Sequence, residues 1–89
     1  MSSYKETLKI GVIYYFKIGT RLLHREDGPA VGWLYGEKKY YIDGQLHRLD
    51  GPAIENPFNG FKRWFYKGKQ IDCEDQETFE RLLKLKAFW

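Results

Sequence analysis

Leu23-His24-Arg25-Glu26-Asp27-Gly28-Pro29-Ala30-Val31 returns 23 residues later as Leu46-His47-Arg48-Leu49-Asp50-Gly51-Pro52-Ala53-Ile54. Seven of the nine positions are identical, and an eighth exchanges Val for Ile. Duplicated sequence of this kind implies duplicated structure. Working outward, an aromatic pair stands before a turn glycine three times: Tyr15-Phe16 before Gly19, Tyr40-Tyr41 before Gly44 and Trp64-Phe65 before Gly68. The unit is thus an aromatic strand, a glycine turn, a Leu-His-Arg segment, an Asp-Gly turn and a strand opened by Pro-Ala. Two units are complete. The third stops after Gly68.

Glycines meter the chain at 19, 28, 36, 44, 51, 60 and 68. Asp-Gly and Asn-Gly pairs are strong hairpin signals, because glycine takes positive φ without steric cost. The spacing predicts strands over 8–16, 20–25, 29–35, 38–42, 45–48, 52–55, 61–66 and 69–71. Tight turns make consecutive strands antiparallel neighbours. The Arg-x-Asp-Gly segments suit a type I turn with Gly28 and Gly51 in the left-handed region as G1 bulges. Proline after each glycine lacks a donor and suits a strand's first residue.

From 72 to 89 the period changes. Phe79, Leu82, Leu83, Leu85, Ala87 and Trp89 share one helical face; Glu77, Glu80, Arg81 and Lys84 share the other. Acids precede bases, which suits the macrodipole, and Asp72 or Asp75 is the expected N-cap. Lys86 interrupts the apolar face, and Phe88 points to the polar side, free for a contact. The expected fold is α+β, mainly β: an antiparallel meander of seven to eight short strands over 8–71 with one C-terminal amphipathic helix.

At 89 residues and 10.7 kDa the chain is one domain with a thin core. Large barrels and dinucleotide folds are excluded by length. A net charge of +3 is mild and mixed in sign. The lone Cys73 rules out an internal disulfide and points to a reducing, cytoplasmic setting. No apolar run is long enough to span a membrane.

This pattern resembles the HRxDGPA-type repeats of bacteriophage and large-virus proteins of unknown activity, and more loosely MORN repeats, over residues 10–71. The resemblance implies a single meandering sheet and a viral protein acting in the host cytoplasm. Arg25 and Arg48 stand where MORN repeats favour glycine, so no lipid role is carried over.

His24, Arg25 and Asp27, with His47, Arg48 and Asp50, form the one polar constellation. An acid–base or phosphate site is the sharp reading; turn scaffolding, with Gly28 and Gly51, is the favoured one, His or Arg bonding the Asp carboxylate. His24, His47 and Cys73 match no zinc spacing. No catalytic group, metal or cofactor is expected.

Aromatics are 18% of the chain, seven Tyr, six Phe and three Trp. Trp33, Tyr35, Tyr40, Trp64 and Tyr66 fall on one strand parity, Tyr41 and Phe65 on the other, so rings occupy both faces while one helix can cover one. Trp33, Tyr35, Tyr40, Tyr41, Arg63, Trp64, Tyr66 and Phe88 are the candidate partner-binding residues. The first functional expectation is a non-enzymatic protein-binding module inhibiting a host protein, such as a defence component. The alternative is single-stranded nucleic-acid binding through sheet aromatics with Lys38, Lys39, Lys62 and Arg63. A self-associating structural protein, a homodimer paired through sheet edges or the exposed aromatic face, is a third reading.

Overall fold

The computed structural model describes residues 3–85, so Phe88, Lys86, Ala87 and Trp89 lie outside the described residues. The chain forms β1 (Ser3–Lys9), β2 (Val12–Lys17), β3 (Val31–Trp33), β4 (Lys38–Lys39), β5 (Tyr41–Ile42), β6 (Gln45–Leu46), β7 (Ile54–Asn56), β8 (Phe61–Tyr66), β9 (Lys69–Ile71) and α1 (Gln76–Leu85). Seven strands make one antiparallel sheet in the order β1-β2-β3-β4-β7-β8-β9, and β5-β6 forms a separate hairpin. The fold is mainly β with a C-terminal helix, as the glycine spacing predicts.

Several boundaries differ. The expected strand 8–16 is a hairpin, bent at Ile10-Gly11, where Gly11 has φ 88° and Ile10 is 98% exposed. An apolar residue at the tip hid the turn. The expected strand 20–25 contributes only the bridge Phe16↔Leu23. The expected strand 38–42 divides between the main sheet (β4) and the side hairpin (β5).

Register fixes the two faces. Tyr14↔Val31, Val31↔Lys39, Lys39↔Ile54 and Ile54↔Arg63 are paired, so these residues share one face. Ile13↔Gly32, Gly32↔Lys38, Lys38↔Glu55 and Glu55↔Lys62 share the other. Continuing the ladders by one residue sets Tyr15, Ala30, Tyr40, Ala53 and Trp64 in a row on that second face, as the bonds Tyr15 N–H to Ala30 O (2.8 Å) and Tyr40 N–H to Ala53 O (2.7 Å) require. Rings therefore alternate with alanines that are fully buried.

The helix packs on this second face. Phe79, with no exposed surface, lies against Trp64 and Ile71, with Tyr66, Cys73, Leu82 and Leu83 around them. Asp75 is the N-cap: its Oδ1 accepts the Thr78 N–H at 2.8 Å, and that bond lowers the Asp75 carboxyl from its usual range. Trp64 Nε1–H donates to Gln76 Oε1 at 2.8 Å, and Gln76 Nε2 donates to the Leu49 carbonyl at 2.9 Å, so the first helical turn is bolted to ring and loop alike.

Phe79 is the helix's only fully buried side chain among the described residues. Truncating a buried phenylalanine costs about 3–5 kcal/mol, from lost transfer energy and the cavity left behind. Phe79→Ala should therefore lower stability in urea denaturation by that amount, while Asp75→Ala should cost about 1 kcal/mol.

Candidate interaction surface

The repeat explains itself residue by residue. Turns Asp43-Gly44 and Lys67-Gly68 have positive φ at both positions (51° and 80°, 48° and 84°), the I′ geometry of a two-residue hairpin. Such a tip leaves two N–H groups without partners in its own hairpin. The preceding unit supplies both acceptors. Asp43 N–H donates to His24 Nδ1 at 2.9 Å and Gly44 N–H to Leu23 O at 2.8 Å. Lys67 N–H donates to His47 Nδ1 at 2.9 Å and Gly68 N–H to Leu46 O at 2.8 Å. Each Leu-His therefore clasps the next unit's turn, and each ring must keep Nδ1 unprotonated.

Arginine makes the second clasp, within its own unit. The Arg25 guanidinium carbon lies 4.0 Å from the centroid of the Tyr15 ring, and that of Arg48 lies 3.9 Å from the Tyr40 centroid. Arg25 Nε donates to Asp27 Oδ1 at 2.9 Å and Nη1 to the Pro29 carbonyl at 3.3 Å. Arg48 repeats this with Asp50 at 3.0 Å and Pro52 at 3.2 Å, and adds Glu55 at 3.3 Å. The Arg25 bond holds the Asp27 carboxyl below its usual range. Burial raises the Tyr40 phenol, with Arg48 pulling the other way.

Gly28 and Gly51 correct an expectation. Neither has the positive φ of a G1 bulge. They are glycine because a Cβ would lie 2.9 Å from the Arg25 guanidinium carbon and 2.6 Å from that of Arg48. The carboxylate of each Asp is likewise turned to arginine. The polar sets are thus scaffolding, with His24 buried and its Nε2 4.0 Å from Glu26. Among the described residues, no group of three or more His, Cys, Asp or Glu side chains is placed to hold a metal. Burial, then the Asp75 and Asp72 charges, raise the Cys73 thiol.

The structure separates the candidate partner-binding residues. Trp64 is 4% exposed beneath the helix, so it is a core residue and not a surface anchor. Tyr66 packs beside it and against His47, ring centroids 5.2 Å apart. Tyr40 lies under Arg48. Tyr41 is half-buried, its carbonyl accepting the Arg25 N–H at 3.1 Å. The shared parity with Trp33 dissolves because Trp33 is paired with Val12 and falls on the opposite face.

That opposite, open face carries no helix among the described residues. Trp33 and Tyr35 stack at 5.4 Å with planes 28° apart, and Lys9 Nζ sits 5.2 Å from the Trp33 ring. Arg63 lies 4.2 Å over Phe61. Lys39 and Ile54 bridge the distance between these pairs. Lys9, Lys39 and Arg63 have no carboxylate partner among the described residues, whereas Glu6 on this face is bound by Arg21. The sequence singled out Trp33, Tyr35 and Arg63; it missed Lys9 and Phe61, whose signal was their strand parity once the first hairpin is recognised.

No family model, no curated protein and no solved structure matches this chain. No helix among the described residues is long and apolar enough to cross a membrane.

Two outcomes follow from the clasps. Burial, then the Lys67 charge, lowers the His47 pKa below its usual 6.5. The unfolded chain then takes up the proton first, so stability is full above pH of about 6.5 and falls as pH drops toward the folded value. Urea midpoints across that range, with ¹⁵N shifts reporting a neutral Nε2–H tautomer of His47, check this. Gly51→Ala should cost about 1–2 kcal/mol by driving Arg48 off Tyr40. In an Arg48→Ala background that cost should largely vanish, as a double-mutant cycle would show.

Proposed function

We propose that the protein is a non-enzymatic binding module whose open sheet face docks on an acidic surface of a partner protein. The observation that carries this reading is the row of uncompensated cations set among rings: Lys9 at Trp33, Lys39 beside Ile54, and Arg63 over Phe61. Arginine and aromatic side chains on a rigid surface are the usual anchors of protein interfaces. Residues 1–71 hold twelve of the fifteen basic residues and seven of the twelve acidic ones, so the sheet is the positive part of the molecule. Such a field speeds encounter with an acidic partner and is weakened by salt. On the resemblance to phage repeat proteins, the partner is a host protein, such as a defence component, and binding inhibits it.

A second reading has its own observation. The stacked Trp33–Tyr35 pair beside Lys9 is a platform on which nucleic-acid bases could lie.

Immobilised protein should retain a stoichiometric, acidic host protein from lysate, and a Lys39→Glu/Arg63→Glu variant of unchanged thermal midpoint should lose it by about tenfold or more. A labelled oligothymidylate should give a flat anisotropy titration at low salt. Tight binding that weakens steeply with salt would move the assignment to nucleic acid.

A further inference from the structure

The helix-bearing face is not wholly covered. At the end remote from the helix, a groove of about 510 Å³ runs along β3, walled by Ile13, Tyr15, Arg25, Pro29 and Leu34, with Gly32 as its floor. Ile13 is 40% and Leu34 87% exposed. Gly32 is the informative residue. Glycine inside a strand costs about 0.5–1 kcal/mol relative to alanine. Here nothing in the fold demands it: φ is not positive, and a Cβ would meet no atom within 4 Å. The contrast with Gly28 and Gly51, each pressed by an arginine, is complete. Close approach of a ligand or another backbone is one of the recurrent reasons for a glycine inside a strand.

The rim has a charge. Lys5 is paired with Tyr15 and Lys38 with Gly32, so both stand on the groove's face, one on either side of it. Both are exposed, and neither has a carboxylate partner among the described residues. Arg25, at the groove's end, is already committed to Asp27.

We propose that this groove is a peptide-binding site for an extended segment of a partner protein carrying an apolar side chain flanked by Asp or Glu. The apolar side chain occupies the notch over Gly32 between Ile13 and Leu34. The flanking carboxylates pair with Lys5 and Lys38. The site lies on the other side of the sheet from the open face, and stands or falls independently of it.

Gly32→Val tests the groove without touching the open face. Its Cβ has room, its backbone is unstrained, and a β-branched residue suits a strand. The probes are an acetylated Glu-Asp-Leu-Phe-Asp-Glu peptide and its Lys-Lys-Leu-Phe-Lys-Lys counterpart, titrated into ¹⁵N-labelled full-length protein. The acidic peptide should shift the amides of Ile13, Gly32 and Leu34, and the basic one should not. Gly32→Val should weaken binding about tenfold with no fall in thermal midpoint, and Lys38→Glu should weaken it severalfold. Equal binding by both peptides, undiminished binding to Gly32→Val, or shifts confined to Lys39 and Arg63 would overturn the proposal. So would a sedimentation shift showing that a second copy, lost in Gly32→Val, fills the groove.

Discussion

A two-residue hairpin turn exposes two backbone N–H groups that its own strands cannot satisfy, and this protein is organised around that constraint. Leu23 and His24 accept both groups from Asp43-Gly44, and Leu46 and His47 accept both from Lys67-Gly68. Two short bonds at each junction thereby index each unit against the next. The turn residues are exposed, so each bond adds only its modest net contribution of about 0.5–1.5 kcal/mol, and the register is held by their sum. A thin domain needs such a device. The main sheet's strands run to only two to seven residues, and the molecule measures 38 × 31 × 17 Å, too slight for packing alone to set the register.

The arginine clasp does the complementary work on one face. Tyr15, Tyr40 and Trp64 lie in one row across the sheet, separated by alanines. Arg25 covers the first ring and Arg48 the second. The third unit has no such arginine. The helix takes that place: Gln76 bonds the Trp64 indole, and Phe79 covers it. The truncated repeat is thus a capped one, as terminal units of repeat proteins must be, since an uncovered ring row would remain exposed to water. The helix packs on this face alone; on the opposite face Val12, Phe16 and Val31 are buried among their neighbours, while Lys9, Phe61 and Arg63 stay at the surface.

The repeat, the glycine turns and the change of period were legible in the sequence because each depends on local chemistry. Turn residues need particular φ values, amphipathic helices need particular spacings, and identical segments make identical bonds. Beta dominance and antiparallel order follow from those rules, as does an aspartate cap at 72 or 75, of which the structure selects Asp75. Less legible was the first hairpin, where Ile10 at the tip mimics a strand residue.

What the tertiary structure alone decided was the use of each residue. Gly28 and Gly51 read as turn glycines, yet their cause is a guanidinium three residues earlier in the chain. Gly32 read as an unremarked strand glycine, and only the space above it gives it meaning. Trp33 and Trp64 are grouped on one parity of their own strands in the sequence but face opposite sides, because alternation is counted within a strand while strand pairing resets it across each turn. Tandem hairpins closed by a helix follow from local residue chemistry; which rings are covered and which stay at the surface depended on pairings between residues far apart in the chain, which no local pattern encodes.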